Sequence, residues 1–82
     1  MLTVKNAYDV VMKNNPEMTA FSCYEYTDCY AFGLVPKDMD KDDMFANSNV
    51  YIVNKHTGEY STVYFMDISN EHIREIDVKS FK

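Results

Sequence analysis

The chain has 82 residues, the size of one small domain, and 46% of them are apolar and 15% aromatic. This composition provides material for a hydrophobic core and excludes a low-complexity or intrinsically disordered chain. The net charge is −5, from 13 acidic and 8 basic residues. That charge argues against nucleic acid and anionic membranes as partners, because both bind through clusters of Lys and Arg.

The same features favour a single cytoplasmic domain over residues 1–82. No apolar run reaches the roughly 20 residues that span a bilayer. The N-terminal stretch MLTVKNAYDVV also lacks the charged-then-apolar order of a signal peptide. We therefore expect the two cysteines to be reduced.

Residues 3–14 are predicted to form an amphipathic helix. An apolar face with the spacing i, i+3, i+4, i+7 is formed by Val4, Ala7, Tyr8 and Val11. Thr3 is a suitable N-cap. At the other end, Asn14 or Asn15 is expected to adopt the left-handed conformation, and Pro16 prevents the helix from continuing.

The stretches MTAFSCYEY and CYAFGLV flank Thr27-Asp28 and predict a β-hairpin. The resulting register pairs Tyr26 with Cys29, Cys23 with Phe32 and Phe21 with Leu34. Side chains alternate along a strand. The expected core face is therefore Phe21, Cys23, Tyr30, Phe32 and Leu34. The opposite face carries Tyr24, Tyr26, Cys29, Ala31, Gly33 and Val35. Gly33 indicates a bulge or a close backbone approach.

The segment PKDMDKDDMF over residues 36–45 is acidic, with Asp38, Asp40, Asp42 and Asp43 against two lysines. A helix–loop–helix calcium site needs glycine at position 6 of the loop and glutamate at position 12. Counted from Asp38, these positions hold Asp43 and Asn49. The segment is therefore interpreted as a solvated connector, with calcium affinity no tighter than millimolar.

The stretches NVYIVN and EYSTVYFM flank KHTG and predict a second hairpin, in which Asn54 pairs with Glu59. Gly58 provides the positive φ that such a turn favours. The expected core face is Val50, Ile52, Val63 and Phe65. The other face then carries Tyr51, Val53, Tyr60, Thr62 and Tyr64.

The C-terminal residues predict a short helix over 69–73 and then a short strand in REIDVKSF, with Ile76 and Val78 alternating and Phe81 beyond them. The expected fold is α+β, with the N-terminal helix packed on a small antiparallel sheet of two hairpins and a short C-terminal strand.

Metal and nucleophile chemistry are weakly indicated. Cys23, Cys29, His56 and His72 lack the close spacing of zinc ligands, and the predicted register places the two cysteines on opposite faces. Cys29 with a histidine base remains a formal nucleophile pair. We expect no metal, no cofactor and no enzymatic activity.

Tyrosines are the most informative positive feature. The predicted non-core faces carry Tyr24, Tyr26, Tyr51, Tyr60 and Tyr64, beside the acidic connector. Tyrosine provides a large contact area with few rotatable bonds and is enriched at protein interfaces. The alternative is that these side chains form ordinary cross-strand pairs or lie under the C-terminal segment.

The order helix–NP–strand, followed by YAFGLVPK and VNKHTGEYSTVYF, resembles small uncharacterised proteins of Firmicutes and their phages. More distantly, it is similar to the immunity protein 35 family of bacterial toxin systems. The resemblance covers roughly residues 4–66 and implies a helix followed by a few strands.

The favoured function is a non-enzymatic domain that binds a protein partner through the tyrosines and the acidic connector, for instance as an inhibitor or immunity-type protein. One alternative is an accessory protein that mimics a polyanion and so blocks a nucleic-acid-binding enzyme. Another is a homo-oligomer assembled through an exposed strand edge.

Overall fold

A computed structural model describes residues 1–37, 49–64 and 71–81. The elements in chain order are α1 (Val4–Asn14), β1 (Met18–Glu25), β2 (Cys29–Pro36), β3 (Asn49–Asn54), β4 (Tyr60–Tyr64) and β5 (Arg74–Glu75), followed by a 3₁₀ turn at Val78–Ser80. The strands form one antiparallel sheet in the order β4-β3-β2-β1-β5. The predicted α+β class, with a helix on an antiparallel sheet, is confirmed.

The helix begins as predicted, because the Thr3 side chain accepts a hydrogen bond from the Asn6 N–H. Its apolar face packs on the sheet, with Ala7 and Val11 fully buried. The prediction of a left-handed asparagine at the C-terminal end is wrong. Asn15 has φ −141°, and its side-chain amide donates to the Val11 carbonyl instead. The Val10 carbonyl accepts from the Asn14 side chain and the Met12 carbonyl from the Asn15 backbone N–H, so no left-handed residue is needed.

The first hairpin has the predicted register at its turn, where Cys23 pairs with Phe32 and the Tyr26 N–H donates to the Cys29 carbonyl. Farther from the turn, toward the start of β1, the register shifts between Ala20 and Ser22. This β-bulge places Ala20, not Phe21, opposite Leu34. The predicted core position of Phe21 is therefore wrong, and its side chain is 45% exposed.

Gly33 lies opposite the bulge in β1, as predicted, but the atoms that approach it closely belong to side chains and not to the backbone. A Cβ at this position would overlap Ser22 Oγ and would lie 2.9 Å from Phe21 Cζ. Gly33 alternates with the buried Phe32 and Leu34, so the Phe21 ring lies over the side of the sheet away from α1. We call this the far side of the sheet.

The second hairpin also has the predicted register, since the Asn54 N–H donates to the Glu59 carbonyl and Val50 pairs with Val63. Gly58 has the expected positive φ, 74°. The assignment of its faces is wrong, however. The residues that join the core on the α1 side are Tyr51, Val53 and, partly, Tyr60. Phe65 lies outside the described residues.

The cause of this reversal is the pairing of β3 with β2. Tyr30 pairs with Val53 and Phe32 with Tyr51, so these four share one face. Tyr51 can be buried there because its hydroxyl donates a hydrogen bond to Met18 Sδ, at a distance of 3.8 Å. The Tyr60 hydroxyl likewise accepts from the Asn15 amide at 2.9 Å.

The C-terminal segment differs from the prediction in its described part. Residues 71–73 are not helical, and the predicted strand is reduced to Arg74–Glu75. Asp77 caps the following 3₁₀ turn through the Lys79 N–H. The turn redirects the chain so that Phe81 enters the core against Tyr8, at a ring-centroid distance of 4.9 Å. Within the described residues, no helix has the length and hydropathy to cross a membrane.

Candidate protein-binding surface

The five candidate tyrosines do not share one surface, contrary to the sequence-based expectation. Tyr51 is only 7% exposed, and it stacks on Tyr60 in the α1-side core, with ring centroids 6.5 Å apart. Tyr64 is 48% exposed at the end of β4. Tyr24 and Tyr26 alternate with core-facing residues of β1 and therefore face the far side. The burial of Tyr51 removes it from any binding surface.

Tyr24 and Tyr26 form a cluster with His72, which was not predicted. The His72 ring centroid lies 4.7 Å from that of Tyr24 and 6.1 Å from that of Tyr26, where it meets the ring edge-on. The segment before β5 brings His72 there, because the Ile73 N–H donates to the Glu25 carbonyl at 2.6 Å. Aromatic rings held in contact in this way lose little further freedom when a partner binds.

Two large exposed apolar side chains lie on the same two segments as this cluster, β1 and the stretch before β5. Ile73, next to His72, is 60% exposed, and Phe21 is 45% exposed on the far side of β1. We define the aromatic patch as Phe21, Tyr24, Tyr26, His72 and Ile73. A shallow cleft adjoins it between β1 and the C-terminal segment, and its lining includes Phe21, Glu75 and Asp77.

The surroundings of the aromatic patch are mainly acidic. Glu71, Glu75 and Asp77 are all exposed on the C-terminal segment. Glu75 pairs with Tyr24 across β1 and β5 and so shares its face. Of the two basic residues within 71–81, Arg74 and Lys79, Arg74 is already bound, because its Nε lies 2.7 Å from Glu25 Oε1. The rim of the patch therefore carries negative charge.

Glu25 anchors β5 from the α1 side of the sheet. Its other oxygen, Oε2, lies 2.7 Å from Lys55 Nζ, and the Lys55 side chain is only 5% exposed. The ammonium also lies 5.0 Å from the Tyr30 ring centroid. Hydrogen bonds from Lys55 and then Arg74 lower the pKa of Glu25. This ion cluster holds the segment that presents His72 and Ile73.

The cysteines and histidines differ in exposure, since Cys23 is buried, Cys29 is half-buried and His56 is exposed. Burial raises the pKa of the Cys23 thiol to about 12, and burial also raises the pKa of Cys29. Both cysteines are free thiols. His56 Nε2 lies 3.8 Å from Asp28 Oδ1, on an exposed turn. Among the described residues, no three His, Cys, Asp or Glu side chains are grouped to hold a metal ion.

Comparison with known proteins adds no family assignment. No family model, curated protein or solved structure matches the chain. The resemblance to phage and immunity proteins therefore stays a prediction. The predicted acidic binding residues Asp38, Asp40, Asp42 and Asp43 lie outside the described residues.

The sequence predicted Tyr24 and Tyr26 as candidate binding residues but did not point to the other members of the aromatic patch. Phe21 was missed because one extra residue in β1 reverses the direction of its side chain. Gly33 was the available signal, since a glycine within a strand often marks a bulge. His72 and Ile73 precede a two-residue strand with no periodic pattern, so nothing local indicated their position.

Proposed function

We propose that this chain is a small, non-enzymatic, cytoplasmic domain that binds a protein partner through the aromatic patch. The observation that carries the proposal is the exposure of Phe21 and Ile73 beside the packed rings of Tyr24, Tyr26 and His72. An inhibitor or immunity-type role is the instance that the resemblance implies, and it belongs to the proposal.

The composition of the patch supports a protein partner. Aromatic residues are enriched at protein interfaces, and a few of them usually supply most of the binding energy. Exposed apolar side chains clustered within an acidic rim follow the usual arrangement of an apolar centre and a polar rim. Scattered single apolar residues would need no such explanation.

The charge of the rim defines the partner's chemistry. The cleft is lined by Phe21 and by the exposed acidic residues Glu75 and Asp77. A Lys or Arg side chain fits this combination, because it pairs with carboxylates and is attracted to the face of an aromatic ring. The expected partner therefore has an apolar surface flanked by basic residues.

The chemistry of the thiols supports a non-enzymatic role. A cysteine nucleophile acts as the thiolate, and a low pKa favours that form at neutral pH. Burial raises the pKa of Cys29, the more exposed of the two cysteines, and the adjacent Asp28 raises it further. The raised pKa of Cys29 therefore disfavours the thiolate form that nucleophilic catalysis needs.

Affinity capture from a lysate of the source organism tests the proposal. Wild type is compared with a Phe21→Ser, Tyr24→Ser variant and with Tyr64→Ser as the control. Tyr64 is an exposed aromatic residue outside the patch. We expect one protein to be captured by wild type and the control and lost with the patch variant, with all three folded by circular dichroism. Equal capture by all three would refute the proposal.

The salt dependence of the captured complex then separates the proposed interface from a polyanion mimic. Screening weakens contacts between exposed charges, whereas apolar contacts persist. If the partner binds through the aromatic patch, the association rate should fall as salt is added, but the complex should persist at about 0.5 M salt. Complete loss of binding at that salt concentration, with no effect of the patch substitutions, would favour the mimic.

A further inference from the structure

The two edges of the sheet differ in how well they are protected. At one edge, β5 is only two residues long and consists of the charged pair Arg74–Glu75. At the other edge lies β4, Tyr60–Tyr64, whose one strand neighbour among the described residues is β3. Short and charged edge strands discourage pairing with another chain. Within the described residues, that protection is present at β5 and absent from Tyr60–Tyr64.

The sequence of β4 favours further pairing. Its five residues, YSTVY, include no charge, no proline and no glycine. They pair with β3 without a register shift, from Asn49–Tyr64 to Val53–Tyr60. Aromatic and β-branched residues suit a pleated strand, and a bulge or a lysine is what usually prevents edge association. Ser61 and Thr62 are exposed.

The hydrogen-bonding direction along β4 follows from its turn. The Asn54 N–H donates to the Glu59 carbonyl, so Asn54 and Glu59 are a hydrogen-bonded pair. Such pairs recur at every second residue of an antiparallel ladder. The backbone groups of Ser61 and Val63 therefore bond to β3. The backbone N–H and C=O of Thr62 lie in the plane of the sheet and point outward from its edge, on the side opposite β3.

We propose that β4 pairs antiparallel with β4 of a second copy of this chain, about a two-fold axis at Thr62. The order of residues indicates this occupant, because YSTVY is nearly symmetric about its centre. In this register Thr62 meets Thr62, Tyr60 meets Tyr64 of the second copy, and Ser61 meets Val63. Aromatic pairs and threonine pairs are favourable cross-strand neighbours.

The paired Thr62 residues exchange two backbone hydrogen bonds across the axis. The result is one continuous sheet through two subunits, with both helices on the same side. This interface lies at the opposite edge of the sheet from β1 and β5. It is independent of the aromatic patch, and it goes beyond the proposed function.

Sedimentation equilibrium of wild type, Thr62→Lys and Thr62→Val tests the pairing. Lysine places two like charges opposite each other at the axis, whereas valine keeps a β-branched side chain without the hydroxyl. We expect wild type and Thr62→Val to form dimers and Thr62→Lys to remain monomeric, with the same circular dichroism spectrum. The interface is small, so the series should extend to about 1 mM.

A monomeric wild type over that whole range would overturn the proposal. So would a Thr62→Lys variant that forms the same dimer, because the dimer would then use another surface. Amide hydrogen exchange provides the second measurement, with internal controls in the same strand. The Thr62 amide should exchange about tenfold more slowly at concentrations where nine-tenths of the chains are dimeric than in dilute solution.

The Ser61 and Val63 amides are the controls for that measurement. Both bond to β3 within one chain, so their protection should not depend on protein concentration in the same way. A concentration-dependent change at Ser61 and Val63 without one at Thr62 would contradict the proposed register.

Discussion

The buried ion cluster allows a quantitative prediction from the geometry of Glu25. Glu25→Gln keeps the shape of the side chain but removes the charge that faces Lys55 Nζ at 2.7 Å. The Lys55 ammonium, on a side chain only 5% exposed, then has no carboxylate within the ion cluster. Removing one partner of a buried ion pair typically costs 3–5 kcal/mol. Since Glu25 itself is 17% exposed, we expect the lower end, about 3 kcal/mol.

Substitution of the other partner of the ion pair should reduce stability much less. Lys55→Met removes the buried charge and fills its space, while Glu25 keeps Arg74 at 2.7 Å on the exposed side. We expect a loss of about 1 kcal/mol or less, because Glu25 is 17% exposed and stays paired with Arg74, so no buried charge is left without a partner. In the Lys55→Met background, Glu25→Gln should cost far less than it does alone.

The assay is urea unfolding at pH 7, followed by circular dichroism, for wild type, both single variants and the double variant. The prediction is an ordered series in the free energy of unfolding, with Glu25→Gln the least stable. A Glu25→Gln variant within about 1 kcal/mol of wild type would refute the reasoning, since that is the range of an exposed ion pair. A Lys55→Met variant less stable than Glu25→Gln would also refute it.

The same cluster predicts a dependence on pH. The pKa of Glu25 is lowered from its ordinary value of 4.5, first by the Lys55 hydrogen bond and then by that of Arg74. Its contribution to stability is therefore complete above about 4.5 and is lost as pH falls through the lower, folded pKa. The urea midpoint of wild type should fall over this acidic range, and that of the double variant should fall less.

Two further substitutions test the bulge and the thiols. Gly33→Ala should cost about 1–2 kcal/mol by urea unfolding, because its Cβ would overlap Ser22 Oγ and Phe21 Cζ; in a Phe21→Ala, Ser22→Ala background the cost should disappear, and an equal cost would contradict the bulge. With a thiol reagent that absorbs on reaction, native protein should label first at Cys29, and Cys23 should react only on unfolding, because Cys23 is 0% exposed. Rapid labelling of a Cys29→Ser variant would contradict this.

Local signals predicted much of the secondary structure and pairing. The helix start at Thr3, the turn at Gly58 and the registers at both turns depend on residues close in sequence. The Asn15 side chain replaced the expected left-handed cap, and it did so partly through Tyr60, 45 residues away. Such distant partners leave no trace in a local pattern.

The faces of β3 and β4 could not be predicted because both faces are similarly apolar. One carries Val50 and Ile52 and the other Tyr51 and Val53, so periodicity alone does not choose between them. The choice follows from pairing with β2, a contact between segments on either side of the acidic connector. The aromatic patch was only partly predicted for the same reason, since His72 and Phe21 reach it through long-range pairing and a bulge.

Site-specific photo-crosslinking tests the proposed protein-binding surface most directly. A photoreactive phenylalanine is placed at Phe21, 45% exposed, or at Tyr64, 48% exposed, so the two positions are matched in accessibility. Adducts to a second copy of the 9.6 kDa chain are scored separately by mass. We predict a cross-link to one other protein from position 21 that is absent from position 64. Equal labelling from both positions, or labelling from position 64 alone, would contradict binding through the aromatic patch.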